Sequence, residues 1–312
     1  MVGRAVAEAW GRRDGVCYFP WHSASPEYPS HRLAPLANGS REVIMPTVNA
    51  GSIRMNYEQQ GSGEPLVLVP YLAADHACYA FQTAEYAKHF TCISIDPRGT
   101  GESSEPGDAY TTETLADDVA AFMQAMGIDN AHVFGLSLGG ATAMWLAAKY
   151  PRLVKSLSIH STWPATDAYV RAVVSGWQVT ARALDSVPEM TIRGIFPWCL
   201  TPELYADRPE YVDALADFVR GRPAPGVDAF IRQSDAVIAH DVEAQLPAIA
   251  APAQITFGRH DAITSTRFAA RLQSGIKGSE LHVFENASHA PIYEDVAAFN
   301  DVSLAFLKRC AG

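Results

Sequence analysis

The chain has 312 residues, 48% apolar and 19% charged, an ordinary globular balance with length enough for a sizeable core. Its formal net charge of −10, with no Lys/Arg run, argues against a nucleic-acid or anionic-membrane surface as partner. Five scattered cysteines (Cys17, Cys78, Cys92, Cys199, Cys310) without a CxxC pair indicate neither a disulfide framework nor a zinc site. No stretch approaches the ~18–20 continuous apolar residues of a membrane span, and the N-terminus, with Arg4, Arg12 and Arg13, lacks the apolar core of a secretory signal. A cytoplasmic protein is the expectation.

Residues 1–45 read as an N-terminal extension. They contain four prolines and little periodicity, yet carry Trp10, Tyr18, Phe19, Trp21 and Tyr28, more aromatics than simple disorder tolerates. An arm packed on the body or on a second subunit is one reading, which leaves a homo-oligomer open. The other is a start codon placed too early, because Met45 opens a natural domain beginning. From Pro46 the pattern alternates through Val48, turns at Asn49-Ala50-Gly51 and resumes over Ile53–Glu58, which predicts a β-hairpin.

Pro65–Val69 is a continuous apolar run, as a strand buried on both faces requires. A helix over Ala80–Lys88, a strand over Thr91–Ile95, the loop Asp96–Ser103 and a helix over Thr112–Met126 capped at Thr111 follow. Strands at 131–135 and Val154–His160 flank an alanine-rich helix ending near Tyr150. This alternation predicts an α/β architecture with a mostly parallel, doubly wound sheet flanked by helices. Residues 46–160 form the first part of that core. At Ser161 the rhythm stops, and residues 161–247 are helical without a clear strand. It resumes over 248–312 with strands Ala253–Phe257 and Leu281–Phe284 separated by a helix over Thr264–Leu272, and a closing helix over Tyr293–Lys308. A helical block inserted between two strands is a cap over the strand ends, where open α/β sheets hold their ligands.

The chemistry centres on Gly135-Leu136-Ser137-Leu138-Gly139-Gly140, where an apolar strand breaks into a helix with Ser137 at the apex. Gly-x-Ser-x-Gly alone arises by chance in about one chain of this length in ten, so the setting must decide. A serine hydroxyl is a poor nucleophile unless a base takes its proton and a third group orients that base. Both partners follow the last two strands: Gly258-Arg259-His260-Asp261 after Phe257, and His289 within Glu285–Ile292 after Phe284. The order Ser137, Asp261, His289, each on the loop after a strand, makes these the candidate catalytic residues. Asp96 and Arg98 read as a structural loop turn, His160 as structural although near the cap, and His260 as solvent-facing. No His/Cys/Asp/Glu cluster has metal-ligand spacing, so no metal and no cofactor are expected.

On these stretches, with Val69-Pro70-Tyr71-Leu72-Ala73-Ala74-Asp75 and Asp96-Pro97-Arg98-Gly99-Thr100-Gly101, the chain from about 46 to 308 resembles the α/β-hydrolases, and among them 3-oxoadipate enol-lactonases and small carboxylesterases. The resemblance implies an α/β-hydrolase fold with an inserted helical cap. It also implies an oxyanion hole from the backbone N–H groups of Leu72 and Leu138. The family usually carries His-Gly where Pro70-Tyr71 stand, which puts the shape of that loop in question.

Hydrolysis of a small-molecule ester or lactone through an acyl-enzyme is therefore expected. A haloalkane dehalogenase needs a carboxylate where Ser137 stands. A cofactor-free haloperoxidase, a hydroxynitrile lyase or a C–C hydrolase shares the triad and stays open; a silent receptor or scaffold would have lost one of its members. Tyr71, Trp163, Trp177, Phe196 and Trp198 are the expected pocket walls, favouring compact apolar groups. The cap has no Lys, and Arg220 and Arg222, two apart, would not share a helix face, so no carboxylate clamp is expected. Should Asp261 fail as the orienting acid, Asp167 is the alternative.

Overall fold

A computed structural model describes residues 11–13, 16–18 and 46–312. The chain divides into two compact units, 1–45 and 46–312. In the first, β1 (Gly11–Arg13) pairs antiparallel with β2 (Val16–Tyr18), a hairpin the sequence had not suggested. Trp10, Phe19, Trp21, Tyr28, Met45 and the side chain of Tyr18 lie outside what is described.

The second unit is built on an eight-stranded sheet in the order β10-β9-β8-β7-β5-β6-β4-β3. Its first hairpin pairs β3 (Thr47–Ala50) with β4 (Ile53–Gly61). The turn falls at Gly51-Ser52 rather than at Asn49, because Gly51 takes the left-handed φ of +60° that a tight hairpin needs while Asn49 and Ala50 stay in the ladder. β5 (Pro65–Val69), β6 (Thr91–Ile95), β7 (Ala131–Leu136), β8 (Val154–His160), β9 (Ala253–Gly258) and β10 (Glu280–Phe284) are all parallel, and only β4 runs against them, since β3, antiparallel to β4, shares their direction.

The apolar run at β5 has the reason its composition suggested. Val67 and Val69 pack on one face with Ile93, Val133 and Ile159, while Leu66 and Leu68 pack on the other with Phe134 and Leu136. A period of two sends alternate side chains to opposite faces, and both are covered. Each such buried Val or Leu contributes about 1.5–3 kcal/mol. α1 (Ala80–Tyr86) and the C-terminal helix cover the Leu66 face, and α2 (Thr112–Ala125) and α3 (Leu138–Lys149) the Val67 face. Thr111 caps α2 in a reciprocal capping box with Thr114.

Between β8 and β9 the chain forms α4 (Ala168–Leu184), α5 (Val187–Met190), α6 (Phe196–Cys199), α7 (Pro202–Asp207), α8 (Pro209–Gly221) and α9 (Val227–Ile238). The neck of this block is pinned. Ala165 bridges Asp241, Thr166 N–H donates to the His240 carbonyl at 2.8 Å and Val242 N–H to that of Pro164 at 2.8 Å. After β9 the predicted helix start at Thr264 is delayed. A short turn spans Thr266–Phe268 and α10 covers Ala269–Gly275, because Ser265 sits at φ +51° and Thr264 is held by Asp261. The closing helix is split into α11 (Pro291–Glu294) and α12 (Val296–Cys310) at Asp295, whose carboxylate caps the second piece at Ala298 N–H. Among the described residues no helix is long and apolar enough to cross a membrane, and Cys78, Cys92, Cys199 and Cys310 are free thiols.

Candidate active site

Ser137 occupies the break between β7 and α3 at φ 54° and ψ −118°. A non-glycine residue held there costs on the order of 1–3 kcal/mol and persists only where the surroundings dictate it. They do: its N–H donates to the His160 carbonyl at 2.8 Å, and its carbonyl accepts from the Thr162 hydroxyl at 2.9 Å. The motif glycines let the chain pass. A Cβ on Gly139 would lie 2.0 Å from the Val69 carbonyl oxygen, and one on Gly135 2.4 Å from the Gly139 carbonyl.

Asp261, on the loop after β9, is 4% exposed and places Oδ2 2.9 Å from His289 Nδ1. Its Oδ1 accepts from Ile263 N–H at 2.7 Å and Thr264 N–H at 3.0 Å, and Oδ2 accepts from the Thr264 hydroxyl at 2.7 Å. Burial alone would raise the Asp261 carboxyl, but the facing imidazole, the Thr264 hydroxyl and the backbone donors outweigh it and hold the group below its ordinary value. A carboxylate at Nδ1 assigns the proton there and leaves Nε2 as the acceptor. His289 and Ser137 line one cavity, with no hydrogen bond between them in this state; such contacts often tighten only with substrate bound. The His289 loop is anchored by Glu294, whose carboxylate accepts from Ser288 N–H at 2.5 Å and Thr201 N–H at 2.6 Å. Burial raises the Glu294 pKa.

The loop after β5 turns at Ala73, at φ 63°. Its conformation is set by Ala73 N–H donating to Gln233 Oε1 of α9 at 2.7 Å and Ala74 N–H donating to the Tyr71 carbonyl at 3.2 Å. The Leu72 N–H has no protein partner among the described residues. Leu138 is the first residue of α3, so its N–H has no helical acceptor. Leu72 and Ser137 lie on the same cavity, and Leu138 directly follows Ser137. Tyr71 closes the loop through its hydroxyl, 2.7 Å from that of Tyr293.

That cavity, of about 120 Å³, runs under α4–α9. Tyr71, Trp163, Trp177 and Phe196 line it as expected. Both indoles spend their N–H groups on protein, Trp163 on Thr166 Oγ1 at 2.7 Å and Trp177 on the Gly194 carbonyl at 2.9 Å, and so offer only apolar ring surface. Trp198 does not line it. With Phe196 turned inward, a residue two positions on in α6 points the opposite way, and Trp198 is 37% exposed.

Arg222 is a lining residue that the sequence did not single out, and it does not share a face with Arg220. Arg220 does turn outward, to Glu189 and Asp217, but Arg222, at the end of α8, lines the cavity and donates through Nε to Asp75 Oδ2 at 2.8 Å. Asp75, His76 and Asp96 lie close enough together to resemble a ligand set. Their atoms are already engaged: His76 Nδ1 is 2.7 Å from Asp96 Oδ1, and Arg222 Nη2 lies 3.3 Å from His76 Nε2. The Arg222 guanidinium thus already engages two of the three, Asp75 and His76. Nothing in the sequence could have linked Arg222 to Asp75, 147 positions earlier.

Asp96 accepts from Asn56 Nδ2 and the N–H groups of His76 and Glu102, and Arg98 clasps Asp118 through two bonds of 2.6 Å. Both sit in the loop scaffold, away from the cavity lining. His160 is fully buried between Phe134 and Phe299, bonded to Thr256 Oγ1, and does not line the cavity. His260 is exposed. Asp167 caps α4 and pairs with Arg267 at 3.0 Å, employed away from His289.

Known proteins share the fold that carries these residues. The chain is 28% identical over 268 residues to 3-oxoadipate enol-lactonase 2 of Acinetobacter baylyi, covering 84% of this chain and 96% of that protein. It is 28% identical over 265 residues to the AB hydrolase superfamily protein YisY of Bacillus subtilis, covering 80% and 93%. The crystal structure of the enol-lactonase from Burkholderia xenovorans superposes with a TM-score of 0.76 at 26% identity, over 84% of this chain and all of that one. The model of the alpha/beta hydrolase fold family matches residues 61–296. With that match over the strands β5 to β10, the turn at Ser137 and the His289 loop, the chain belongs to the alpha/beta hydrolase fold family.

Proposed function

We propose that this hydrolase cleaves a small apolar carboxylic ester or a neutral lactone through an acyl-enzyme. The observation that carries the reading is the convergence of Ser137 and His289 on one cavity with Asp261 bonded behind the imidazole. Ser137 Oγ attacks the carbonyl carbon as its proton passes to His289 Nε2, and the tetrahedral oxyanion is held by the N–H groups of Leu72 and Leu138. Collapse breaks the ester C–O bond, and His289 returns the proton to the departing alkoxide. Water then attacks the acyl-enzyme, giving a proton to His289, and releases the acid and free Ser137. Asp261 keeps the imidazole in the required tautomer and offsets its transient positive charge.

Helices α4–α9 serve as the cap. Their aromatic and aliphatic lining, with both indole N–H groups satisfied, favours apolar groups. A cavity of about 120 Å³ compares with the ~150 Å³ engineered cavities that hold benzene, which favours compact substrates. Acyl groups of roughly C2–C8 should be turned over fastest and long-chain lipids poorly. The test is a panel of p-nitrophenyl esters and lactones run on the purified protein beside Ser137→Ala. Rates peaking at short acyl chains and abolished in the variant support the reading; rates climbing to long chains with activation at a lipid interface overturn it.

A further inference from the structure

The cavity wall near Leu72 carries one full charge pair, and the pair has a spare edge. Arg222 reaches inward from the C-terminal end of α8 and gives its Nε and Nη2 side to Asp75 Oδ2, each at 2.8 Å. Asp75 is 5% exposed in its side chain, and its other oxygen is taken by Ala77 N–H at 3.0 Å. Arg222 Nη2 also meets His76 Nε2 at 3.3 Å. Nη1, with two hydrogens, has no protein partner among the described residues, and Arg222 lines the same cavity as Ser137 and His289. A guanidinium in an otherwise apolar chamber, oriented by a buried carboxylate and left with two free donors, is suited to bind an oxygen of the substrate.

The charge of that oxygen can be argued as well. Arg222 and His76 face Asp75 and Asp96 in one partly buried chain of contacts, from Nε to Oδ2 of Asp75 and from His76 Nδ1 to Oδ1 of Asp96. Burial works against the charged imidazole, but Asp96 and Asp75 outweigh it and raise the His76 pKa. Asp75 and Asp96 thus supply at least as much negative charge as Arg222 and His76 supply positive. An added carboxylate would leave the cluster with at least one negative charge in excess in a partly buried wall, whereas a neutral carbonyl takes the Nη1 donors without adding charge.

We propose that Arg222, held by Asp75, is a specificity-determining residue that selects substrates carrying a neutral carbonyl or similar acceptor apart from the scissile ester. The proposal rests on the ester-hydrolase reading and refines its substrate class: a keto, amide-bearing or second-ester substrate over a purely hydrocarbon one or a free acid.

The test uses the full-length protein and matched esters. Methyl levulinate and methyl isocaproate differ by a carbonyl oxygen against a methyl group on the acyl side. Isoamyl acetate and the acetate of the matching keto alcohol do the same on the alcohol side. Monomethyl succinate supplies the carboxylate. The wild type should prefer the keto member of at least one pair by about 10- to 100-fold in kcat/KM, the range expected of a hydrogen bond to a charged group, and should turn over monomethyl succinate less well than methyl levulinate. Arg222→Leu should bring the keto preference close to one. Asp75→Asn, which removes the neutralising charge, should raise monomethyl succinate relative to methyl levulinate about 10-fold. Melting curves confirm that each variant folds. No keto preference in the wild type, or equal losses on both members of a pair in Arg222→Leu, would reduce Arg222 to a latch between α8 and the loop after β5 and overturn the proposal. If no ester of any kind is cleaved, the hydrolase reading fails instead, a different and distinguishable result.

Discussion

Tyr71 and Tyr293, 222 positions apart, touch hydroxyl to hydroxyl at 2.7 Å, and the direction of that bond is determined. Tyr293 spends its own hydrogen on the Cys78 carbonyl at 2.7 Å, an acceptor that cannot give one back. Tyr71 must therefore donate to Tyr293. Its hydroxyl, although one residue from Leu72, has no hydrogen left for an oxyanion. Burial raises both phenols far above their ordinary pKa, so neither supplies charge. Tyr71→Phe should accordingly cost about 0.5–1.5 kcal/mol of stability and only a few-fold in kcat. A loss of ~10²–10³ in kcat would make the hydroxyl an oxyanion donor after all.

The nucleophile assignment has a graded signature. Ser137→Ala should lower kcat by about 10⁴–10⁶-fold with the melting temperature little changed. Asp261→Asn should cost less than His289→Ala, since the side chain still fills its place between Thr264 and the imidazole but no longer favours the Nδ1–H tautomer. Steady-state kinetics on one p-nitrophenyl ester suffices, and wild-type turnover in Ser137→Ala would end the assignment.

The oxyanion role proposed for the loop after β5 separates backbone from side chain. Leu72→Ala keeps the N–H and should be mild, whereas Leu72→Pro deletes it and should cost about 10²–10³-fold in kcat. Ala73→Gly is the companion measurement. Ala73 sits at φ 63°, where glycine is unstrained, so relief of on the order of 1 kcal/mol opposes the entropy glycine adds to the unfolded chain. Its melting temperature should be unchanged or slightly raised. Equal small losses from both Leu72 variants would remove that N–H from the reaction.

Acid should destabilise the fold well before carboxylates titrate. Burial lowers the His160 pKa to about 3 and the His240 pKa to about 4, and it also lowers that of His132 despite the nearby Glu64. These rings are neutral when folded but protonate on unfolding below about pH 6.5. The unfolded state thus binds more protons, and stability falls as pH drops from there towards 4. His76 acts in the opposite sense, because its raised pKa favours the folded state below pH 6.5. With three rings against one, the balance is a loss of about 1–3 kcal/mol between pH 6 and 5. Denaturant melts at the two pH values read it directly, and equal midpoints would refute it.

What the sequence disclosed and what it hid divide along a physical line. β5, β6 and β8 could be placed to the residue because unbroken apolar runs between turn signals have one comfortable home, a strand covered on both faces. Ser137 was legible because its backbone angle demands the glycines around it. The helix starts at Thr264 and Tyr293 were misplaced because side-chain bonds within the site's loops overrode helical propensity. Thr264 serves Asp261, and Glu294 turns away to hold Thr201 and Ser288. Arg222, Tyr293 and Gln233 reach the site only through tertiary contact, and no spacing rule links them to the loop after β5.

The neck at Ala165 and Asp241 bears on how such a protein changes over time. The helical block leaves the sheet and returns at two points already bonded to each other. Lengthening or replacing what lies between them therefore transmits little strain to β8 and β9, which lead to Ser161 and Asp261. Ser137, Asp261 and His289 all sit on the sheet side of that joint, while Trp177, Phe196 and Arg222 sit beyond it. The residues proposed for reactivity and for selectivity thus lie on separate parts of one chain, and drift in the second set need not endanger the first.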